Sequence, residues 1–354
     1  MNAPLAIETP LRSELEVVRH DGDATAWDAF VARTAGSSFC HCAAWGDVLR
    51  EALGAECCDL VARDASGALR GVLPLARVRS RLFGDYLVSL PFLNAGGPIG
   101  DTDARERLTE EASALARELG VDLLELRTRE AVGSGAVRVV TRKLTVLLTL
   151  PSAAAELWET FPAKLRSQIR RSQKEGLEAR FGLAELDAFY EVFGRHMRDL
   201  GTPVLPRRFF ERVAQRLRDL VVFGAVYRGA APVAAGCGFL WRGALEITWA
   251  SALRAHQRIA PNMGLYWAFM EHAITRGART FDFGRCTPGS GTHQFKQQWG
   301  GVDVPLPWVQ WSPRDVHATP SPERPVYRVA AAVWRRLPLF VTKRLGPPLA
   351  RRLP

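Results

Sequence analysis

The feature that most constrains this chain is an order of elements that occurs twice. In the first half, Leu60-Val61-Ala62-Arg63, a turn at Asp64 to Gly67 and Leu69 to Leu75 predict a hairpin. A helix from Ala104 to Leu119 and a strand from Val121 to Leu126 follow. In the second half, Phe223 to Tyr227, a turn at Arg228-Gly229 and Pro232 to Leu240 predict another hairpin, followed by a helix from Asn262 to Arg276 and a strand from Thr280 to Phe283. Gly120 and Gly277 end the two helices, Glu125 and Asp282 hold matching places in the two strands, and each pair is 157 residues apart. Hairpin, crossover helix and strand is the order of a mixed α/β sheet, so two copies predict an α/β chain of tandem domains with mixed sheets. A length of 354 residues with 47% apolar composition suits two domains with sizeable cores.

Chemistry concentrates between Phe281 and Gly300. Thr280-Phe281-Asp282-Phe283 alternates polar and aromatic residues like a half-buried strand and ends at Gly284-Arg285. Pro288-Gly289-Ser290-Gly291 then predicts a tight turn whose backbone N–H groups converge on an anion. Lys296 follows between Phe295 and Trp299, on a short helical turn over apolar ground. An ammonium held there would stabilise the charge that develops on a carbonyl oxygen during acyl transfer. Arg285 and the turn would hold a carboxylate or phosphate, and Asp282 would orient Arg285 or Lys296 or act as base. The plainer alternative for these residues is a strand, a glycine turn and a solvated lysine.

Four blocks here, Phe281-Asp282-Phe283-Gly284-Arg285, Gly289-Ser290-Gly291, Phe295-Lys296 and Trp299-Gly300, agree in order and spacing with a known signature. In them the chain resembles the FemAB-like proteins associated with PEP-CTERM/exosortase loci, members of the GNAT superfamily that are similar to the Fem peptidoglycan aminoacyltransferases. The resemblance is strong from about Trp158 onward and weak before it. Cys286 stands where the family has a serine and His293 where it has an aromatic, so the resemblance gives neither a catalytic role. It implies tandem GNAT-like domains, at 1–150 and at 151–312, the second carrying the site, with a proline-rich linker and basic tail at 313–354. It also implies transfer of an acyl or aminoacyl group to an amine, with acyl-CoA or aminoacyl-tRNA as donor and a cell-envelope or exopolysaccharide precursor as acceptor.

The net charge of +10 points to an anionic partner. Arg166, Arg170 and Lys174 recur every four residues behind Pro162, with Glu175 the only acid beside them. Such a stripe of like charges favours anion binding over a solvated face. By resemblance it lies where Fem-like enzymes position a phosphate-rich donor or acceptor. Asn262 is expected to cap its helix, whose free N–H groups would bind a phosphate. CoA-dependent GNAT enzymes have R/Q-x-x-G-x-G/A at that turn. Pro261-Asn262 replaces the glycine here, which leaves the choice between CoA and tRNA open. Phe295 and Trp299 are expected beside the bound donor. His196, before the helix stop at Gly201-Thr202-Pro203, is either a proton shuttle or a packed residue.

The N-terminal eighteen residues lack a basic segment followed by an apolar one, which predicts a cytoplasmic protein. Cys40-His41-Cys42 and Cys57-Cys58 lack the spacing of zinc sites, so no metal is expected. After four prolines between Ser312 and Pro325, the last thirty residues hold seven basic residues and no acid. Val326, Val329, Ala330, Val333, Trp334 and Leu337 fall on one helical face. That face suits either peripheral contact with the inner face of the membrane or docking on the protein's own core. A degenerate GNAT fold that only recruits tRNA, lipid or polysaccharide machinery is the competing functional class.

Overall fold

The computed structural model describes residues 15–20, 22–80, 83–133, 137–313 and 325–353. The N-terminal segment before residue 15, on which the reading of export rests, and residues 314–324 of the proline-rich linker lie outside them. Among the described residues, eleven strands form one sheet. Their order is Leu177–Phe181, Val221–Arg228, Ala231–Trp241, Ala244–Ala252, Thr280–Cys286, Arg138–Thr149, Val302–Trp311, Leu123–Leu126, Gly84–Val88, Ala76–Ser80 and Glu56–Cys57. Glu16–Arg19, Leu60–Arg63, Leu69–Leu73 and Ile99–Gly100 form a smaller sheet.

The two repeats are visible as matching geometry. Helices Thr102–Glu118 and Pro261–Thr275 both end on glycine in the left-handed region, Gly120 at φ 61° and Gly277 at φ 76°. After each helix the chain closes identically: Val121 N donates to Ala116 O and Ala278 N to Ala273 O. Each helix leads into a strand that pairs in parallel with an earlier one, Leu123–Leu126 with Gly84–Val88 and Thr280–Cys286 with Ala244–Ala252. In the first half this partner is not the predicted hairpin. Leu60–Arg63 and Leu69–Leu73 do pair, but the chain leaves them at Pro74, which has no N–H to extend the ladder, and the hairpin stays in the smaller sheet.

The repeats also exchange their closing strands. Arg138–Thr149, from the first half, pairs with Thr280–Cys286 of the second. Val302–Trp311, from the second, lies between Arg138–Thr149 and Leu123–Leu126. One face of the second-half sheet packs on helix Pro261–Thr275 through Phe281, Phe283, Tyr266, Trp267 and Trp299; the other packs through Phe39, Trp45, Phe209 and Phe239.

The tail docks on the core. Thr342, Gly346 and Ala350, one turn apart on helix Leu339–Ala350, are buried, and a Cβ on Gly346 would come within 2.9 Å of Val204 N. On helix Pro325–Trp334, Ala331 presses on Gly201, where a Cβ would meet the Ala331 Cβ at 2.7 Å. The apolar stripe predicted there is therefore divided: the Ala331 contact sets the register, and Val329 and Val333 remain 65% and 55% exposed. The Val326 side chain lies outside the described residues.

Cutting after Leu150 would separate each closing strand from its neighbours. Residues 1–150 and 151–354 made apart are expected to lack a cooperative melting transition, and made together to regain one. Two fragments that each melt cooperatively alone would contradict the exchange.

Candidate active site

The strands Ala244–Ala252 and Thr280–Cys286 pair at three positions only, and Glu246 opposite Asp282 is the last of them. Beyond it both strands depart from regular ladder geometry. The pairing register of the first shifts at Cys237/Gly238 against Ile247, and that of the second shifts between Asp282 and Arg285. Gly284 makes the second departure, with φ 68°, a region that strains residues with a Cβ. A Cβ there would also lie 3.0 Å from both Ile247 O and Asn94 Nδ2. Asn94, from the first half, thus stands in the fork between the two strands.

Glu246 and Asp282 are both buried and side by side. Their oxygens are held by five residues. Asn94 Nδ2 donates to Glu246 at 2.6 Å and Thr248 Oγ1 at 3.1 Å. Gly284 N donates to Asp282 at 2.8 Å, and Thr145 Oγ1 also donates to it. Arg129 Nη2 bridges both carboxylates at 2.9 Å each. Burial, reinforced by Asp282, pushes the Glu246 carboxyl up to about 7 despite Arg129. Burial works against the Arg129 charge, but Asp282 and Glu246 outweigh it and hold the guanidinium above its ordinary value. A cavity of about 480 Å³ opens beside this cluster, lined by Glu246, Asp282, Arg129, Thr280, Phe239 and Trp241 among others. The face of the strand that carries Asp282 is therefore the one that lines a cavity.

Lys296 lies behind the fork on helix Gly291–Gln297. It is 3% exposed, and its Nζ donates to Gly284 O at 2.5 Å and Arg285 O at 3.0 Å. The ammonium thereby fixes the carbonyls of the bulge. Burial lowers its pKa, against the pull of Cys286, Asp282 and Glu246. Asp282 bonds neither Arg285 nor Lys296; its partners are Arg129, Thr145 and the Gly284 N–H. Arg285 points to the first half, where Nη1 donates to Leu93 O at 3.3 Å and the guanidinium lies over Trp308 at 5.4 Å. Burial, with Arg127 nearby, lowers it to about 9.

The turn expected to cradle an anion is closed on itself. Gly289 N donates to His293 Nδ1 at 3.0 Å, and Ser290 Oγ caps helix Gly291–Gln297 by accepting from His293 N at 3.2 Å. Since Nδ1 accepts, Nε2 carries the imidazole proton and donates to Asp303 at 2.9 Å. Phe295 and Trp299 pack with Tyr266 at centroid distances of 4.9 and 6.1 Å, inside the aromatic layer instead of along a groove.

The cationic stripe lies on helix Ala163–Lys174, and acids and rings partly offset it. Arg166 pairs with Glu159 at 2.9 Å, Arg170 lies over Trp158 at 5.2 Å, and Lys174 is exposed. Glu159 belongs to the preceding helix, outside the sequence of the stripe itself. The last turn of this helix meets the first turn of Pro261–Thr275, where a Cβ on Gly264 would lie 2.9 Å from Ser172 Oγ. Asn262 is not the cap of that helix. Ala260, at φ 52° with no side-chain bond, is the cap, because Pro261 occupies the first helical position and moves Asn262 inside. His196 faces the Ala252 backbone, and burial lowers its pKa.

Glu246, Arg129, Asn94 and Thr145 were not singled out from the sequence. Glu246 does carry a signal, a lone acid inside the apolar strand Ala244–Ala252. Asn94 sits in the glycine-rich run Phe92 to Pro98, where Phe92 itself has φ 72°.

Residues 162–297 match the acetyltransferase (GNAT) domain family. No curated protein sequence matches the chain. Among solved structures the chain is similar to FemX, with 13% identity over 89% of this chain and 100% of that one and a TM-score of 0.62. It is also similar to the C-terminal domain of an Agrobacterium fabrum protein described as a lysylphosphatidylglycerol synthetase, at 13% identity over 88% and 96% of the two chains, with a TM-score of 0.56. A tandem GNAT protein from the clavulanic acid biosynthesis pathway matches at 13% identity over 87% and 100%, with a TM-score of 0.52. The fold is accordingly a tandem GNAT-like one, with mixed sheets.

Removing Arg129 would leave two buried carboxylates facing one another. Arg129→Ala is expected to cost about 3 kcal/mol, the lower end for a broken buried pair because the guanidinium is 33% exposed. Adding Asp282→Asn should recover more than half of that in chemical denaturation. Strictly additive losses would show that Arg129 does not serve the pair.

Proposed function

We propose that the protein transfers an acyl or aminoacyl group to a primary amine on a cell-envelope or exopolysaccharide precursor, at the cytoplasmic face of the membrane. The observation that carries this reading is the fork itself: parallel strands part at Glu246 and Asp282, in a GNAT-type fold, with a carboxyl that titrates near neutral pH at the branch. A general base is most effective when its pKa lies near the working pH. Glu246 takes the proton from the attacking amine, the amine nitrogen bonds to the donor carbonyl, and the thioester or ester bond of the donor breaks. Glu246 then passes that proton to the leaving thiolate or alkoxide, which departs as the thiol or alcohol and restores the carboxylate. Lys296, whose ammonium holds the Gly284 and Arg285 carbonyls behind the fork, contributes its charge to the developing oxyanion through space and not by a direct hydrogen bond. Asp282 positions Arg129, and Arg285 lies on the side of the fork toward the first half.

The donor's phosphates would meet the start of helix Pro261–Thr275 with Arg166, Arg170 and Lys174 nearby. Pro261 removes one N–H from that turn, so the grip falls mainly on the cations. The names FemX and lysylphosphatidylglycerol synthetase support an aminoacyl donor and an envelope acceptor, and the clavulanic acid relative supports acyl-CoA. The resemblance to FemAB-like proteins of PEP-CTERM/exosortase loci supports an exopolysaccharide setting.

Thermal melting with acetyl-CoA or aminoacyl-tRNA separates the donors, because only a ligand of the native state raises the transition, by about 2.7 kcal/mol at a hundredfold excess over Kd. With the stabilising donor, Glu246→Gln is expected to lower turnover by about two to four orders of magnitude and to abolish the rise in rate as pH increases through neutrality. Unchanged turnover with the pH dependence intact would remove Glu246 from the chemistry.

A further inference from the structure

The docked tail has a second face that the core does not use. Seen down helix Leu339–Ala350, the buried residues Thr342, Gly346 and Ala350 lie on one side. Phe340, Arg344, Pro348 and Arg351 project from the other. Phe340 is 74% exposed, which for a phenylalanine on an ordered helix leaves most of the ring in water. Helix Pro325–Trp334 repeats the pattern, with Ala331 against Gly201 and the exposed Val329 and Val333 opposite, flanked by Arg328 and Arg336. Docking is firm: Lys343 lies over the Tyr190 ring at 5.6 Å and Arg335 donates to Leu200 O at 3.2 Å. The tail is thus a fixed platform with an apolar centre and a cationic surround.

We propose that this outward face binds the surface of a bilayer containing anionic phospholipid. Two observations choose this occupant over others. The tail from Pro325 to Pro354 has seven basic residues and no acid; Arg335 and Lys343 contact the core, and the exposed Arg328, Arg336, Arg344, Arg351 and Arg352 make the outer face complementary to a negatively charged plane. The apolar side chains are separated along two short helices among arginines and form no compact patch, which suits shallow insertion between head groups. Among the described residues no helix is long and apolar enough to cross a membrane, so the contact is peripheral. The transfer reading places the protein at a membrane, and this proposal names the face that meets it; because that face is formed by the tail and its test needs no substrate, its failure leaves the transfer chemistry standing.

Sedimentation of the full-length protein with vesicles of equal parts phosphatidylglycerol and phosphatidylcholine tests it, with pure phosphatidylcholine as the neutral arm. Binding to the anionic vesicles alone is expected, and it should collapse between about 0.1 M and 1 M salt as the Debye length falls from about 10 Å to about 3 Å. Each basic residue near such a surface contributes about fivefold in partitioning, so Arg336→Gln, Arg344→Gln and Arg351→Gln together should weaken binding by roughly a hundredfold. Phe340→Asp should weaken it even at low salt. All four side chains are exposed, and matching thermal melts confirm that the variants remain folded. Absence of binding to anionic vesicles at low salt overturns the proposal. So does vesicle binding that the variants leave unchanged. Binding to deacylated tRNA in place of vesicles, or a concentration-dependent dimer abolished by Phe340→Asp, would likewise assign the face to another occupant.

Discussion

Two carboxylates buried side by side are costly, and much of this structure is arranged around keeping them there. Glu246 and Asp282 are directly opposite in a parallel register, where like charges repel, so one must hold its proton or cations and donors must intervene. Arg129 bridges them, Asn94 and Thr248 serve Glu246, and Thr145 and the Gly284 N–H serve Asp282. Arg129, Asn94 and Thr145 all precede residue 150. The second repeat carries the acids, and the first carries much of what makes them tolerable, which gives the exchanged strands a chemical purpose beyond packing.

The backbone around the pair follows from the same constraint. Asp282 can accept from Gly284 N because Gly284 turns into the left-handed region, and the carbonyls of Gly284 and Arg285 lie at the register shift that this turn makes. Lys296 takes both. Its short helix is in turn fixed by Ser290, by His293 bridging Gly289 and Asp303, and by Phe295 and Trp299 in the aromatic layer. The glycine turn therefore serves the lysine; it is not an open anion cradle. The first repeat shows the contrast: Glu125, at the equivalent strand position, is met by Arg127 at 2.9 Å, whose guanidinium also donates to Leu90 O and Leu93 O.

The repeated order of elements was legible in the sequence because it rests on local signals, glycine stops and alternation, that survive in any context. Helix Thr102–Glu118 and strand Thr280–Cys286 fall close to where the spacing puts them. Pairing across the halves was not legible, since nothing local to Gly84–Val88 or Val302–Trp311 says which strand lies beside it. The same limit hid Arg129 and Asn94, which act on residues more than a hundred positions away. Lys296 was recognisable as a lysine over apolar ground, but its carbonyl partners depend on the bulge. Asn262 looked like a cap because its side chain is right for one; the proline before it decides otherwise. In the tail, the composition announced an amphipathic helix, whereas the face that docks was set by Gly201 and Gly346, which accept Ala331 and Val204 closely.

The most direct measurement is a ¹³C-NMR titration of the Glu246 carboxyl carbon in the intact protein, with Arg129→Gln and Asp282→Asn as companions. An inflection at about 7 is expected. It should move upward when the Arg129 cation is removed and downward when the Asp282 charge is removed. The folded value lies above that of the unfolded chain, so this group's contribution to stability is full at acid pH and lost as pH rises through about 7. An inflection near the ordinary carboxylate value of about 4.3, unmoved by either substitution, would show that Glu246 and Asp282 do not share a buried, Arg129-bridged site.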